Sequence, residues 1–283
     1  MSAAPDTFFI STQIGLSGQL AVYDWPAPEG PPRGRVLLVH GLGEHMGRYA
    51  HVAEQLRSWG FAVRGYDHYG HGRSTGPRGD MVNARSLLGD LGCMIDVTRQ
   101  LSLARDKPLI LLGHSLGGLI AAHAVAEQLR PVDGLVLSSP ALATSANLLQ
   151  KMLLGVLPRL APHLCVDNGL NARFVARDPQ VVQAYLADPL VHRRISAGLA
   201  QWIVTQGPAT LARAADWSVP TLLMYAQADR LVDPEGSAQF AKLAPDCVQA
   251  QGFEGMYHEI FNDPEQSLVF AQLKDWLDAH FSA

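Results

Sequence analysis

The sequence GHSLG at residues 113–117 constrains the fold of this chain more strongly than any other segment. It follows an apolar run at 108–112 and precedes an alanine-rich segment with helical spacing. A G-x-S-x-G pattern between a strand and a helix is typical of a turn so sharp that the serine backbone is strained. The flanking glycines permit the turn and let strand and helix approach closely. We therefore predict that the Ser115 hydroxyl stands above a sheet edge, where it can attack an acyl carbon.

The composition is that of a globular chain with a substantial core. Of its 283 residues, 48% are hydrophobic and 17% are charged, which fits one large α/β domain or a core with an insertion. The formal net charge of -4 offers no basic footprint for nucleic acid. We find no secretory signal at the start of the chain and no apolar run of about 18 residues that would span a membrane.

The three cysteines, Cys93, Cys165 and Cys247, are scattered and odd in number. This usage favours reduced thiols in a cytoplasmic protein over a disulfide framework. His68 and His71 are three residues apart, but their glycine-rich surroundings are those of a loop. We therefore expect no metal site and no organic cofactor.

Short apolar runs alternate with helical patterns along most of the chain. The predicted strands lie at 7–12, 19–25, 35–39, 61–66, 108–112, 132–137, 220–225 and 248–253. The predicted helices between and after them lie at 49–59, 86–105, 116–129 and 265–281. Continuous apolar runs suit strands buried on both faces of a sheet. Their alternation with helices predicts an α/β fold, in which a mostly parallel sheet carries helices on both faces.

The alternation is interrupted from residue 141 to residue 205, where helical patterns continue without a clear buried strand. Doubly wound sheets place their sites at the carboxyl ends of the strands. We therefore predict a helical cap at 141–205 over that edge, inserted in a core formed by 1–140 and 206–283. An apolar stripe at helical spacing runs from 147 to 157. The cap residues that we expect to contact substrate are Leu148, Leu149, Met152 and Leu153.

A serine hydroxyl is a poor nucleophile at neutral pH and needs a base that is itself oriented. In this architecture the acid follows a later strand and the histidine follows the last one. Asp229 lies just beyond the strand at 220–225, with Asp233 as a competing acid, and His258 follows the strand at 248–253. We predict Ser115 as the nucleophile, His258 as general base and then acid, and Asp229 as the orienting carboxylate.

The oxyanion of a tetrahedral intermediate needs oriented N–H donors. One is expected from the backbone of Leu116, the residue after the nucleophile. The second is expected from the loop HGLG at 40–43, where we choose the N–H of Leu42 and expect His40 to contact substrate. His114, although inside the motif, is expected to be structural, with its side chain facing away from the point of attack.

Together these segments resemble the monoacylglycerol lipase and lysophospholipase-like branch of the α/β hydrolases. The segments that carry the resemblance are HGLGEH at 40–45, GRY at 47–49, DHYGHGRS at 67–74, GPRG at 76–79, GHSLGG at 113–118, DPLV at 188–191, DRLVDP at 229–234 and YHEIFN at 257–262. The resemblance implies an α/β-hydrolase fold with a helical cap, and it carries over the triad and the two oxyanion donors named above. Cap residues 147–164 follow no matching pattern, which leaves acyl-chain length and head group open.

The residues and the resemblance together predict a serine ester hydrolase that cleaves monoacylglycerol-like or lysophospholipid-like esters through an acyl-enzyme. The alternatives are a broad-specificity short-chain esterase, a peptidase-like hydrolase of the same fold, and a non-catalytic ligand receptor. An aminopeptidase would need cap carboxylates to hold a substrate ammonium group, and residues 141–205 contain three Asp and no Glu.

The predicted cap at 141–205 also carries six cationic residues against its three Asp, so its net charge is +3. The rest of the chain has a net charge of -7. Such a surface beside an apolar stripe is compatible with peripheral contact to an anionic membrane. The other interpretation is that the stripe packs on the core while the arginines are solvated. The sequence does not determine the oligomeric state.

Overall fold

The computed structural model describes residues 8–26, 29–100, 106–143 and 157–282. Its strands are β1 Phe9–Ile14, β2 Gln19–Asp24, β3 Arg35–Val39, β4 Ala62–Tyr66, β5 Leu109–His114, β6 Gly134–Ser138, β7 Cys165–Asp167, β8 Arg194–Ser196, β9 Thr221–Ala226 and β10 Val248–Phe253. Its longer helices are α1 Ala50–Ser58, α2 Ser86–Gln100, α3 Leu116–Ala126, α4 Pro179–Ala187, α5 Ala197–Leu211, α6 Pro234–Leu243 and α7 Gln266–His280. Within the described ranges, no helix is both long enough and apolar enough to cross a membrane.

Eight strands form one sheet in the order β1-β2-β4-β3-β5-β6-β9-β10. The pairs β1/β2 and β2/β4 are antiparallel, and every other pair is parallel. Strands β3, β5 and β6 are buried along their whole length, as expected for central strands that are covered on both faces. The mostly parallel sheet predicted from the sequence is confirmed.

Two apolar clusters cover the two faces of the sheet. Leu37 and Leu111 belong to the cluster that includes α2 and α3, whereas Leu38 and Leu112 belong to the one that includes α1 and α7. Neighbouring residues of β3 and β5 therefore enter opposite layers, because successive side chains of a strand point to opposite faces. Each fully buried leucine contributes about 1.5–3 kcal/mol relative to an exposed one. This burial makes the central strands a rigid support for the loops at their carboxyl ends.

The largest difference at a described helix end is in α3, whereas the ends of α1 and α7 lie within one residue of the prediction. Helix α3 ends at Ala126 rather than continuing to 129, because Gln128 adopts a positive φ of 51°. The N–H of Leu129 donates back to the carbonyl of Ala124, which closes the helix.

The cap region contains an element that the sequence analysis did not predict. Strands β7 and β8 pair antiparallel as a separate two-stranded ribbon. Each has only three residues, with sequences CVD and RIS, so neither shows the apolar run by which buried strands were recognised. Position 205, the predicted end of the cap, falls inside α5. The apolar stripe with Leu148, Leu149, Met152 and Leu153 lies outside the described residues.

Candidate active site

Ser115 sits at the junction of β5 and α3 in a strained backbone conformation, with φ 54° and ψ -119°. Its N–H donates to the carbonyl of Ser138 and its carbonyl accepts from the N–H of Ala141, both at 3.0 Å. A non-glycine residue in such a conformation persists only where its surroundings hold it. The two hydrogen bonds anchor it to the end of β6, and the turn presents the side chain at the carboxyl edge of the sheet.

The motif glycines are required by the close approach of α3 to the sheet. A Cβ on Gly117 would lie 2.1 Å from the carbonyl oxygen of Val39 and 2.4 Å from that of His40. A Cβ on Gly113 would lie 2.5 Å from the carbonyl oxygen of Gly117. Neither position has room for a side chain, so the elbow and the loop after β3 are in direct backbone contact.

The structure brings Asp229 and His258 together from the ends of β9 and β10. His258 Nδ1 donates to Asp229 Oδ2 at 2.6 Å, and both side chains are buried. Asp229 Oδ1 accepts from the N–H groups of Leu231 and Val232, which hold the carboxylate in place. Asp233 instead accepts from the N–H of Glu235 as the N-cap of α6.

The pair is arranged to favour a charged imidazole. Burial lowers the pKa of His258, but the Asp229 carboxylate outweighs this effect, so that the pKa lies above its usual value. Burial likewise raises the pKa of Asp229, while the His258 charge and its hydrogen bonds hold it below the usual range. Because Nδ1 is bound to Asp229, Nε2 is the nitrogen left to exchange a proton with a reacting group.

His114 lies against the base. Its ring centroid is 4.7 Å from that of His258, and its Nδ1 is 3.0 Å from the hydroxyl oxygen of Ser138. Burial lowers the pKa of His114 to about 3, which keeps the ring neutral. A structural role for His114 was expected from the sequence, but its contact with His258 was not, since only the fold brings the two residues together.

The loop after β3 reaches the nucleophile. A Cβ on Gly41 would lie 3.1 Å from the Cβ of Ser115, so the loop backbone is next to the serine. Leu42 follows in this loop and Leu116 is the first residue of α3. Over the described ranges, the N–H groups of Leu42 and Leu116 donate to no acceptor of the chain. Both remain available to an oxyanion.

His40 is fully buried below this loop. Its Nδ1 donates to the carbonyl of Gly41 at 2.7 Å, and its Nε2 accepts from the N–H of His68 at 3.0 Å. Both ring nitrogens are therefore committed to the main chain. The structure places His40 where it supports the loop after β3 rather than where it offers a nitrogen to substrate.

Residues of the predicted cap at 141–205 contact the loop after β3 directly. The N–H of His192 donates to the carbonyl of Gly43 at 2.8 Å, and His45 Nε2 lies 2.8 Å from Asp188 Oδ2. Gly43 has a φ of 78°, and a Cβ there would lie 2.4 Å from the carbonyl oxygen of His192. A glycine at this position is what allows the two segments to meet.

Three buried charged residues beside the site were passed over in the sequence analysis: Glu44, Arg48 and Glu259. Arg48 forms ion pairs with both carboxylates. The sequence did contain a signal for them, because all three lie in segments that carry the family resemblance. Glu44 and Arg48 lie within 40–49, and Glu259 follows His258 directly. Nothing in the sequence indicated that residues 211 positions apart would pair.

A mostly parallel sheet, a strained serine between strand and helix, and an Asp–His pair at the ends of two later strands define an α/β hydrolase. The chain belongs to the family described as serine aminopeptidase, S33, whose model matches residues 30–265.

Relatives of known activity cover nearly the whole chain. It is 37% identical to a monoacylglycerol lipase of Mycolicibacterium smegmatis over 94% of this chain and 95% of that protein. It is 33% identical to the phospholipase YtpA of Bacillus subtilis, over 92% of this chain and 100% of the relative. The crystal structure of a monoacylglycerol lipase from Paleococcus ferrophilus matches with a TM-score of 0.84 at 35% identity, covering 92% of this chain and 99% of that one. The resemblance to this branch of the α/β hydrolases is thereby confirmed, and the protein is a hydrolase of this fold.

Proposed function

We propose that the protein is a lipolytic serine ester hydrolase that cleaves monoacylglycerol-like or lysophospholipid-like esters through an acyl-enzyme. The observation that carries the proposal is the buried His258–Asp229 pair, 2.6 Å between Nδ1 and Oδ2, on the same sheet edge as the strained Ser115. A serine hydroxyl becomes nucleophilic only when an oriented base can take its proton. The three residues have the order and roles that this chemistry requires.

In the proposed reaction the Ser115 oxygen attacks the ester carbonyl while His258 Nε2 takes the hydroxyl proton. The oxyanion forms between the N–H groups of Leu42 and Leu116. Collapse of the tetrahedral intermediate breaks the ester bond, and His258 passes its proton to the departing alcohol. His258 then removes a proton from water, whose oxygen attacks the acyl-enzyme. A second collapse releases the fatty acid and restores the serine.

The contacts made by the carboxylates of the predicted cap disfavour an aminopeptidase. Its three acids are Asp167, Asp178 and Asp188. Asp167 accepts from Arg193, and Asp178 caps α4. Asp188 contacts His45 and also accepts from the N–H of Leu190. All three make contacts within the protein, so a substrate ammonium group would have to compete with these partners, whereas a neutral ester needs no carboxylate partner.

The activities of the relatives support a lipid ester as substrate. The Mycolicibacterium smegmatis protein is a monoacylglycerol lipase and the Bacillus subtilis protein is a phospholipase. Their identities to this chain span almost its full length, including the cap region. We therefore place monoacylglycerols and lysophospholipids ahead of short-chain esters as substrates.

Apolar side chains exposed on the cap support contact with a lipid surface. Leu160 is 79% exposed, Leu164 48% and Val166 49%, and the guanidinium groups of Arg193 and Arg194 lie on the neighbouring strand segment. Exposed apolar residues flanked by arginines suit the interface of an anionic bilayer. Co-sedimentation with phosphatidylglycerol vesicles, lost in Leu160→Asp and absent with phosphatidylcholine vesicles, would support this contact. Equal sedimentation of the wild-type protein and Leu160→Asp with phosphatidylglycerol vesicles would contradict it.

Replacement of the nucleophile tests the proposed reaction. Ser115→Ala is expected to lower kcat by roughly 10⁴–10⁶-fold while the fold is kept. The wild-type protein should show a burst of alcohol release from a chromogenic ester, as acyl-enzyme formation predicts. A ligand receptor would show neither burst nor turnover. Near-normal hydrolysis by Ser115→Ala would contradict the assignment.

A substrate panel then identifies the substrate class. We would compare kcat/KM for monoacylglycerols of increasing chain length, lysophospholipids, short esters and aminoacyl amides. The proposal expects the highest values among the long-chain lipid esters. A clear preference for short esters or for amides would favour one of the alternative hydrolases.

A further inference from the structure

Arg48 connects the two loops that carry the oxyanion donor and the general base. Its Nη1 donates to Glu44 Oε2 and, at 2.7 Å, to Glu259 Oε1. Its Nη2 donates to Glu259 Oε2, also at 2.7 Å. The Arg48–Glu259 contact is thus bidentate, a geometry that fixes direction as well as distance. All three side chains are at most 12% exposed.

On one side of this arginine, Glu44 holds the oxyanion loop from within. Glu44 Oε1 accepts from the N–H of Gly41 and from the hydroxyl of Tyr49, both at 2.7 Å. Gly41 is the loop residue whose backbone lies against Ser115, and it precedes the proposed donor Leu42. The position of the Glu44 carboxylate therefore determines where the oxyanion loop sits relative to the nucleophile.

On the other side, Glu259 follows the base His258 directly in the chain. Its Oε2 also accepts from Asn262 Nδ2 at 2.8 Å, and its N–H donates to the carbonyl of Val175 at 2.7 Å. These contacts fix the backbone immediately after the imidazole. A shift of the Glu259 carboxylate would therefore be transmitted to the orientation of His258.

The stability of the fold does not by itself account for such a cluster. Removing charges from water costs free energy that their attraction often fails to recover, and apolar replacements of buried ion pairs are frequently neutral or stabilising. Two carboxylates share one guanidinium here, so the cluster carries a net charge of -1. What the arrangement does provide is a rigid link between two loops that are distant in the sequence.

We propose that Arg48 is a positioning residue, which clamps Glu44 and Glu259 so that the oxyanion donor and His258 keep a fixed mutual geometry. This proposal rests on the proposed function. It concerns the alignment of the site rather than contact with substrate. Misplacement of a reacting group by about 1 Å can cost about 100-fold in rate.

The matched substitutions Arg48→Lys and Arg64→Lys test the clamp. Lysine keeps the charge but cannot make the bidentate contact. Arg64 makes an equally bidentate pair with Asp24, at 2.7 and 2.9 Å between β2 and β4, and serves as the control. Arg48→Lys is expected to lower kcat roughly 10- to 100-fold with little change in KM, whereas Arg64→Lys should keep kcat. Wild-type kcat in Arg48→Lys, or an equal loss in both variants, would overturn the proposal.

The pH dependence of Glu259→Gln supplies a readout that a merely structural role would not move. The charged groups facing His258 are Asp229, Glu259 and, behind it, Glu44 and Arg48, while its neighbour His114 is neutral. Removing the negative charge of Glu259 should lower the pKa of His258 and shift the acid limb of kcat/KM to lower pH. A wild-type kcat in Glu259→Gln would contradict the clamp whether or not the limb moves, because the shift of the limb depends only on the charge of Glu259. If Arg48→Lys does not fold, Glu259→Gln still tests the proposal.

Failure of the clamp and failure of the proposed function give different results. If Ser115→Ala loses turnover while Arg48→Lys keeps it, the clamp is wrong and the reaction assignment stands. If Ser115→Ala keeps turnover, the reaction assignment is wrong whatever the arginine variants do.

Discussion

The N–H of His192 donates to the carbonyl of Gly43 at 2.8 Å, which ties a segment of the cap region to the oxyanion loop. Four residues before His192, Asp188 contacts His45 in the same loop. The oxyanion loop is therefore held from two directions, by Glu44 from below and by the 188–192 segment from above. Motion of that segment would be transmitted to the loop that faces Ser115.

Loss of the Asp188 charge should loosen this contact. We expect Asp188→Asn to accelerate hydrogen exchange at the His192 amide, because His45 loses its carboxylate partner. Asp167→Asn is the control, since Asp167 pairs with Arg193 at an exposed position and such pairs contribute about 0–1 kcal/mol. Unchanged exchange in Asp188→Asn would show that the backbone hydrogen bond alone holds the segment.

The same contact has a defined pH dependence. Burial raises the pKa of Asp188, but hydrogen bonds from His45 and the N–H of Leu190 outweigh it and hold the pKa below its usual value. A carboxylate of lowered pKa stabilises the fold at neutral pH, and this contribution is lost as the pH falls through the lowered pKa. The protection factor of the His192 amide, which is the exchange rate of an unstructured peptide at the same pH divided by that of this amide, should therefore stay high at neutral pH and fall only on strong acidification.

Mutation should show which of the two candidate acids, Asp229 or Asp233, is needed for activity. Asp229→Asn is expected to lower kcat by about 10⁴-fold, because the amide no longer stabilises the imidazolium or its tautomer. Asp233→Asn should keep kcat. Asp233→Ala should lower the free energy of unfolding by about 1 kcal/mol, because the N-cap of α6 is lost. Steady-state kinetics and thermal unfolding measure both. The reverse pattern would exchange the two roles.

The acid limb of the activity profile should report His258. The free base must be neutral to accept a proton, and the Asp229 carboxylate raises its pKa against the lowering effect of burial. Activity should therefore fall as the pH drops through a value above 6.5, the ordinary pKa of the group. His114, with a pKa of about 3, does not titrate in this range. An acid limb of kcat/KM well below pH 6.5 would contradict this electrostatic picture.

Two glycine-to-alanine changes should have opposite effects on stability. Gly117→Ala drives a Cβ to within 2.1 Å of the Val39 carbonyl oxygen and should destabilise the protein by about 3 kcal/mol. Gly92→Ala, inside α2, places its Cβ 3.6 Å from Leu129 and should stabilise it by about 0.5–1 kcal/mol. Denaturant unfolding compares the two. Equal effects would mean that the close approach at the elbow can relax.

Much of the fold is predictable because it is encoded locally. Strand β3 spans the predicted residues 35–39 and is buried throughout, and β10 likewise spans the predicted 248–253. The ribbon of β7 and β8 was missed because strands of three residues are too short to carry an apolar run. The end of α3 was misplaced because the positive φ of Gln128 leaves no mark in the hydrophobic pattern.

The sequence by itself determined the elbow motif, the chain order of Ser115, Asp229 and His258, and the family, since short motifs and their order can be identified along the chain. Only the tertiary structure shows that Asp229, the acid chosen from the sequence, contacts His258. It decided that His40 is committed to the main chain and that His114 packs on His258. It also decided that Arg48 bridges Glu44 and Glu259. Such contacts join segments up to 211 residues apart, and their geometry follows from how the buried sheet brings its loops to one edge.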